Sequence, residues 1–356
     1  MKKIIALALA LILVLPFAAC KSNDDPSTPD TNKDISATVI WRAFDDQYQS
    51  GFRIIMQNEV DKLTGITLDM QDGENDVSKT TNKLEASLTK GTNAVAICAP
   101  DQECTNALML KCKDENVPVV FFNMMPYEET MKGYDKVWYV GAEASESGAM
   151  CAQALINYWN ENKEIADKNG DGKLQVIFLQ GEVGNNDTIL RTQAYEDTLK
   201  ANGIEYEVVA SDVANWDKGQ ALDKMNAWIT SYGMDGIEGV LCNNDSMAMG
   251  AVQAALNNGY NSGDPNKFLP VVGIDATVEA LQAMKDGTLL GTVLNDRTNQ
   301  SIAVINALKA AANGTPITKE VIGVDCTIEE NYIWIPYTIV DSTNLDSVLE
   351  LMLSVG

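Results

Sequence analysis

The chain has 356 residues, with 50 Asp and Glu against 26 Lys and Arg, a formal net charge of −24 at pH 7, and no histidine. A surface that acidic repels phosphate, which excludes nucleic acid as a partner. The missing histidine rules out a Ser-His-Asp triad and histidine-ligated zinc, and removes the usual general base.

Taken in chain order, the first residues read as an export signal. Lys2 and Lys3 precede an apolar run from Ile4 to Phe17. A comfortable membrane span needs about 20 apolar residues, so this run matches a signal-peptide core instead. It ends in Phe17-Ala18-Ala19-Cys20, small residues before a cysteine, which is the pattern of a bacterial lipobox. Residues 1–20 are therefore expected to be a lipoprotein signal peptide, with Cys20 the lipidation site. Residues 21–34 hold two prolines and no large apolar side chain. Such a segment cannot bury enough surface to offset the entropy of ordering, so it is expected to be a disordered tether. The expected location is exported and lipid-anchored, on the outer face of the cytoplasmic membrane or in the periplasm.

From Ile35 onward, short apolar runs alternate with stretches of helical spacing. The strand candidates are ATVIW, GITLDM, AVAIC, VPVVFFN, VWYVG, QVIFLQG, IEYEVV, GVLCNN, LPVVGID and GTVLND. Between them lie helical patterns such as Asn75 to Lys90 and Asp217 to Ser231. Repeated units of this kind predict an α/β fold, with parallel sheets covered by helices on both faces. That many strands divide better into two sheets than one. The expected organisation is two doubly wound lobes joined by a three-segment hinge, near Gly141, Asn295 and Tyr332 to Tyr337. The N-terminal lobe is assigned 35–141 plus 296–333, and the C-terminal lobe 142–295 plus 334–350. No later run resembles a transmembrane helix. The six cysteines after Cys20 form no CxxC pair, and several sit in apolar strands, so free buried thiols are expected.

Ligands of such sheets bind at the carboxyl ends of the strands. Those ends carry Asp45-Asp46, Asn123, Asn185-Asn186-Asp187, Asn243-Asn244-Asp245, Asp275 and Asn295-Asp296. Helix capping accounts for part of this, since Asp and Asn accept from free backbone N–H groups. It does not account for the scarcity of Ser and Thr. Carboxylates and amides together suit a neutral polyhydroxyl ligand, whose hydroxyls both donate and accept. Arg191, one helical turn after Asp187, adds a forked donor. Tyr48 and Trp216 add flat apolar faces that suit the C–H faces of a sugar ring.

The most specific local motif runs from Asp167 to Gln175, DKNGDGKLQ. Oxygen side chains at Asp167, Asn169 and Asp171, then Gly172 at the sixth position, match the start of an EF-hand calcium loop. Lys173 would contribute its backbone carbonyl and Gln175 its side chain. The twelfth position, where a bidentate Glu is needed, is Phe178. A distant acid must complete the shell, and Glu238, entering the strand IEGVLC, is the candidate. The expected cofactor is a structural Ca2+.

With VPVVFFN, DKNGDGKLQ, NWDKGQALDKMNAW, NNDSMAMGAV and GTVLND in hand, the chain resembles the periplasmic galactose/glucose-binding proteins of ABC importers, of the ribose-type two-lobe class. The resemblance runs from about Thr38 to Leu345. It implies a sugar held by Asp46, Asn123, Asp187, Arg191, Asn244, Asp275 and Asn295, with its ring between Tyr48 and Trp216. It also implies a calcium loop completed by Glu238. Two positions depart: Asn185 stands where the family usually has histidine, and Tyr48 where it has phenylalanine.

The expected function is capture of D-glucose or D-galactose between two lobes by a monomer that performs no chemistry on it. Delivery to the permease of an ABC importer follows, with a chemoreceptor as an alternative reader of the closed form. Another monosaccharide, such as ribose or xylose, is the nearest rival. A glycoside hydrolase using Asp46 and Asp275 is a second, opposed by the amides and Arg191, which favour ionised acids. A transcriptional regulator of this fold would need a DNA-binding helix pair where the signal peptide stands.

Overall fold

The computed structural model describes residues 34–355; the expected signal peptide, Cys20 and nearly all of the tether lie outside the described residues. The strands, in chain order, are β1 (Ile35–Trp41), β2 (Ile66–Asp72), β3 (Ala94–Ile97), β4 (Val119–Phe122), β5 (Val137–Gly141), β6 (Leu174–Gln180), β7 (Tyr206–Val213), β8 (Gly239–Cys242), β9 (Val271–Val272), β10 (Thr292–Leu294), β11 (Thr327–Glu329), β12 (Tyr332–Trp334) and β13 (Thr338–Val340).

Strand β3 shows why these segments read as apolar runs. Ala94 and Ala96 face one hydrophobic layer, Val95 and Ile97 the other. In β4, Val120 and Phe122 take the first layer, Val119 and Phe121 the second. Successive side chains point to opposite faces, so a strand covered by helices on both sides must be apolar throughout. In β6, Ile177 and Leu179 divide in the same way from Val176 and Phe178.

The first sheet has the order β11-β12-β5-β4-β3-β1-β2 and the second β7-β6-β8-β9. Both are parallel apart from the antiparallel β11–β12 pair. Two lobes, each a doubly wound α/β sheet, are thus present. Strand order reverses beside β1 in the first lobe and beside β6 in the second, and crevices for ligands open at such switch points. β10 pairs antiparallel with β13. Single bridges, Val272 to Gly291 and Asp275 to Leu294, attach β10 to the edge of the second sheet. The C-terminal helix, Leu345–Val355, covers this region through Val348, Leu349 and Met352.

All ten strand candidates are present, although LPVVGID shrinks to the two residues of β9. β11, β12 and β13 are additional, each of three residues. The chain returns to the first lobe with the long helix Arg297–Asn313, which packs on its core through Ala303, Val304 and Leu308, and β12 then joins the first sheet beside β5. The six described cysteines are free and buried. Among the described residues no helix is long and apolar enough to cross a membrane.

Candidate functional site

The ten residues expected to hold a ligand all line one cavity of about 80 Å³ between the lobes. Its size suits a single sugar ring: one water needs roughly 10–15 Å³ of such space, so a ligand filling the cavity displaces a handful of waters.

From the first lobe come Asp46, Tyr48 and Asn123. Asp46 caps the helix Gln47–Val60, and its carboxylate accepts from the Gln49 N–H at 2.8 Å. Burial pushes its pKa up, opposed by that hydrogen bond and by Arg42. Tyr48 sits in the first turn of the same helix. Arg297 lies 5.3 Å from its ring centroid. Asn123 ends β4 with a φ of 62°. Its backbone carbonyl accepts from the Tyr139 hydroxyl at 3.1 Å, which fixes this unusual turn.

The second lobe supplies the rest. Asn185 caps the helix Asn186–Ala201, accepting from the N–H groups of Asp187 and Thr188. Asp187 pairs with Arg191 at 3.0 Å, one turn on. Arg191 is 3% exposed and is held through each of its three nitrogens. Its Nε donates to Ser147 Oγ, its Nη1 to the Asn243 carbonyl and its Nη2 to Tyr337 Oη. So the guanidinium is a fixed wall of the site, held from three elements. Trp216 follows β7 in left-handed backbone (φ 61°), as does Asn215 (φ 51°). Asn244 caps the helix Asp245–Asn257 through the Met247 N–H and donates from its amide to the Trp216 carbonyl. Asn295 accepts from Gln300 Nε2 at 2.6 Å.

Asp275 carries the strongest electrostatic tension. It is 5% exposed, and its φ is 127°. Burial raises its pKa strongly; Arg191 opposes and neighbouring Asp245 adds to the rise. Asp245 is itself buried and raised, held by Thr292 Oγ1 and the Thr277 N–H. Non-glycine residues at positive φ, here Asn123, Trp216 and Asp275, are costly and persist where the surroundings over-determine them.

Capping is therefore real at Asp46, Asn185 and Asn244, and all three also line the cavity. Each keeps a second polar atom beyond the one that caps. Four lining residues were not anticipated: Arg42, Gln49, Met124 and Ser246. Arg42 stands two residues before Phe44-Asp45-Asp46, a basic residue at a strand end, which was the one signal available.

The calcium-like loop lies at the opposite edge, ahead of β6. Glu238 is wholly buried and accepts from the backbone N–H groups of Lys168 (2.7 Å), Asn169 (3.4 Å) and Gln175 (3.1 Å). The distant acid therefore does meet the loop. Gly172 N–H donates to Asp167 Oδ2, Asn169 Nδ2 to Gln175 Oε1, Gln175 Nε2 to Asp171 Oδ2, and Lys173 N–H to Asp171 Oδ1. Asp167 Oδ1 is buried without a partner among the described residues. An orphaned carboxylate oxygen beside amide and carboxylate oxygens fits a hard cation. Among the described residues no three His, Cys, Asp or Glu side chains are gathered as a metal-holding group. Any shell here must therefore draw on the amide oxygens of Asn169 and Gln175.

Three comparisons with known proteins bear on this architecture. The periplasmic binding protein domain family matches residues 37–316. The D-galactose/methyl-galactoside binding periplasmic protein MglB of Haemophilus influenzae is 36% identical over 308 residues, which is 85% of this chain and 90% of that protein. A putative rhizopine-binding protein of Rhizobium meliloti is 28% identical over 85% of this chain and 88% of its own length. Among solved structures, an ABC transporter solute binding protein of Bacillus halodurans with bound myo-inositol superimposes with a TM-score of 0.74 at 23% identity. It covers 90% of this chain and 98% of its own, a likeness of fold.

Proposed function

The chain belongs to the periplasmic binding protein domain family, and from that premise we propose that it is the exported sugar-binding component of an ABC importer, selective for D-glucose or D-galactose. It binds its ligand rather than converting it. The observation that carries the reading is the cavity itself. Carboxylates, amides and a fixed guanidinium from both lobes converge on one ring-sized space, with Tyr48 on one side of the cleft and Trp216 on the other.

The energetics are adequate. A neutral hydrogen bond nets ~0.5–1.5 kcal/mol and one to a charged group ~1.5–3 kcal/mol. Several such contacts exceed the ~8 kcal/mol of micromolar binding, even after ordering costs. Because the contacts come from both lobes, the sugar stabilises the closed form, and closure is what the permease reads. The name of the Haemophilus relative supports a hexose. Asn185 and Tyr48 leave the order of glucose and galactose to measurement.

A structural Ca2+ at Asp167, Asn169, Asp171, the Lys173 carbonyl, Gln175 and Glu238 belongs to the same proposal, supported by the orphaned Asp167 oxygen. It would tie the start of β6 to the start of β8. The lipid anchor at Cys20 is proposed from the lipobox-like sequence alone.

Calorimetric titration with glucose, galactose, ribose and xylose tests the reading. Tight binding of one hexose, with weaker pentose binding, is expected. Failure of every hexose to bind overturns it, as does release of reducing sugar from an aryl glycoside.

A further inference from the structure

Arg42 and Glu182 lie 140 residues apart in the chain and meet across the cleft, with Arg42 Nη2 at 2.5 and 2.6 Å from the two carboxylate oxygens of Glu182. Arg42 leaves the end of β1 in the first lobe; Glu182 leaves the end of β6 in the second. The Arg42 side chain is anchored on its own lobe, since its Nε donates to Asn75 Oδ1 at 2.8 Å. Glu182 is reached from the far side, so the pair exists only when the lobes have approached.

The pair stands at a neck. Arg42, Asp46, Trp216 and Ser246 line both the ring-sized cavity and a second, open cleft of about 890 Å³ outside it. Glu182 lines the outer cleft but not the inner cavity. A substituent passing from the inner cavity outward must therefore run beside Arg42, and past the carboxylate bound to it.

We propose that the Arg42–Glu182 pair is a size gate that favours monosaccharides small enough to lie inside the cavity, rejecting glycosides whose bulky aglycone leaves through the neck. This rests on the sugar-binding reading above and names its substrate class. A free ring fits wholly inside, the lobes close and the pair forms. A bulky aglycone holds the lobes apart at this point, and the complex forgoes the pair. The ligand that permits closure then gains affinity that the other cannot, because a ligand shifts the closure equilibrium only by its differential affinity for the two states. Discrimination by a wall of this kind needs no contact between Glu182 and the sugar.

The test compares wild type, Glu182→Ala and Glu182→Lys, each titrated with glucose, galactose and the 4-nitrophenyl α- and β-glycosides of both. Glu182 touches no expected sugar contact and its side chain is 30% exposed, so both variants are expected to melt as wild type does without ligand. Wild type is expected to prefer the free sugar over the glycosides of at least one anomeric series. Glu182→Ala should weaken free-sugar binding about tenfold, the worth of a charged hydrogen bond, and leave glycoside binding unchanged. Glu182→Lys, which sets two cations face to face, should narrow the preference further. Free-sugar binding with an unmoved preference in both variants overturns the gate alone. So does wild type binding every glycoside as tightly as the free sugar. Absence of any free-sugar binding in wild type overturns the sugar reading and the gate with it.

Discussion

Trp216 lies so close over Gly181 that a β-carbon on the glycine would stand 2.2 Å from Cζ2 and 2.3 Å from Cη2 of the indole. The ring is thus seated on bare backbone at the end of β6. Its own backbone is left-handed, its carbonyl is held by Asn244, and the Arg191 guanidinium sits 5.9 Å from its centroid. Gly181→Ala is expected to push the indole off this seat and to weaken hexose binding by tenfold or so, approaching the loss in Trp216→Ala. Calorimetry on both variants checks this. A folded Gly181→Ala protein with wild-type affinity would show that the indole is not a ring face.

Asp275 and Asp245 give a pH dependence whose sign is fixed by burial. Both carboxyls are buried and both pKa values are raised, Asp275 more than Asp245. Arg191, Arg297 and Asp46 also face Asp275, the two arginines opposing its rise and Asp46 adding to it. An acid with a raised native pKa stays protonated over a range where the unfolded chain has already lost its proton. Stability of the ligand-free protein therefore falls as pH rises from the ordinary carboxyl range toward neutrality and beyond. Asp275→Asn is expected to raise the melting temperature at pH 8, flatten its dependence on pH and abolish tight sugar binding. Melting curves of wild type and variant from pH 5 to 8 check the sign; a steeper slope in the variant contradicts it.

What the sequence could show, and what it could not, follows from these same residues. The strands were legible because burial on both faces makes them apolar throughout, as in Val119–Phe122. β11 to β13 were not, because each has only three residues, and Thr327–Glu329, exposed at both ends, carries no apolar run at all. The strand-end acids and amides were legible as a group, since one topology puts every carboxyl end at one crevice. Arg42 and Glu182 were not, because nothing local marks two residues 140 positions apart as partners. Capping and ligand-facing roles could not be separated in advance either, for Asp46, Asn185 and Asn244 cap helices and line the cavity at once.

Asn185 tests how much reach matters. Its Oδ1 is committed to the helix cap, leaving the amide hydrogens for a ligand. Asn185→His would restore the residue usual in the resembled family, at the cost of a good cap, about 1 kcal/mol. It would also introduce the one histidine in the chain, with an ordinary pKa near 6.5. The variant is expected to melt a few degrees lower and to bind hexose with an affinity that changes between pH 5.5 and 8 by more than wild type, whose raised carboxyls Asp275 and Asp245 titrate in that range but which lacks a histidine. Titrations at those two pH values check this; identical shifts in variant and wild type would place residue 185 away from the sugar.

The loop from Asp167 to Gln175 should matter for stability and not for specificity, because of where it sits. It precedes β6, whereas the sugar cavity lies beyond the far ends of the strands. Glu238 reaches the loop from the start of β8, so a cation here would join two neighbouring central strands of the second lobe. A ligand present at 100 times its Kd stabilises the native state by ~2.7 kcal/mol, worth roughly 5–10 °C in a lobe of this size. Chelation is therefore expected to lower the melting temperature by about 5 °C or more, with recovery on adding Ca2+. Hexose affinity at 25 °C should stay within about twofold. Asp167→Asn, which blunts the loop's orphaned oxygen, is expected to melt like the chelated wild type and to ignore further chelator. A melting temperature indifferent to both chelation and this substitution would remove the metal from the protein and leave the loop as a turn held by its own hydrogen bonds.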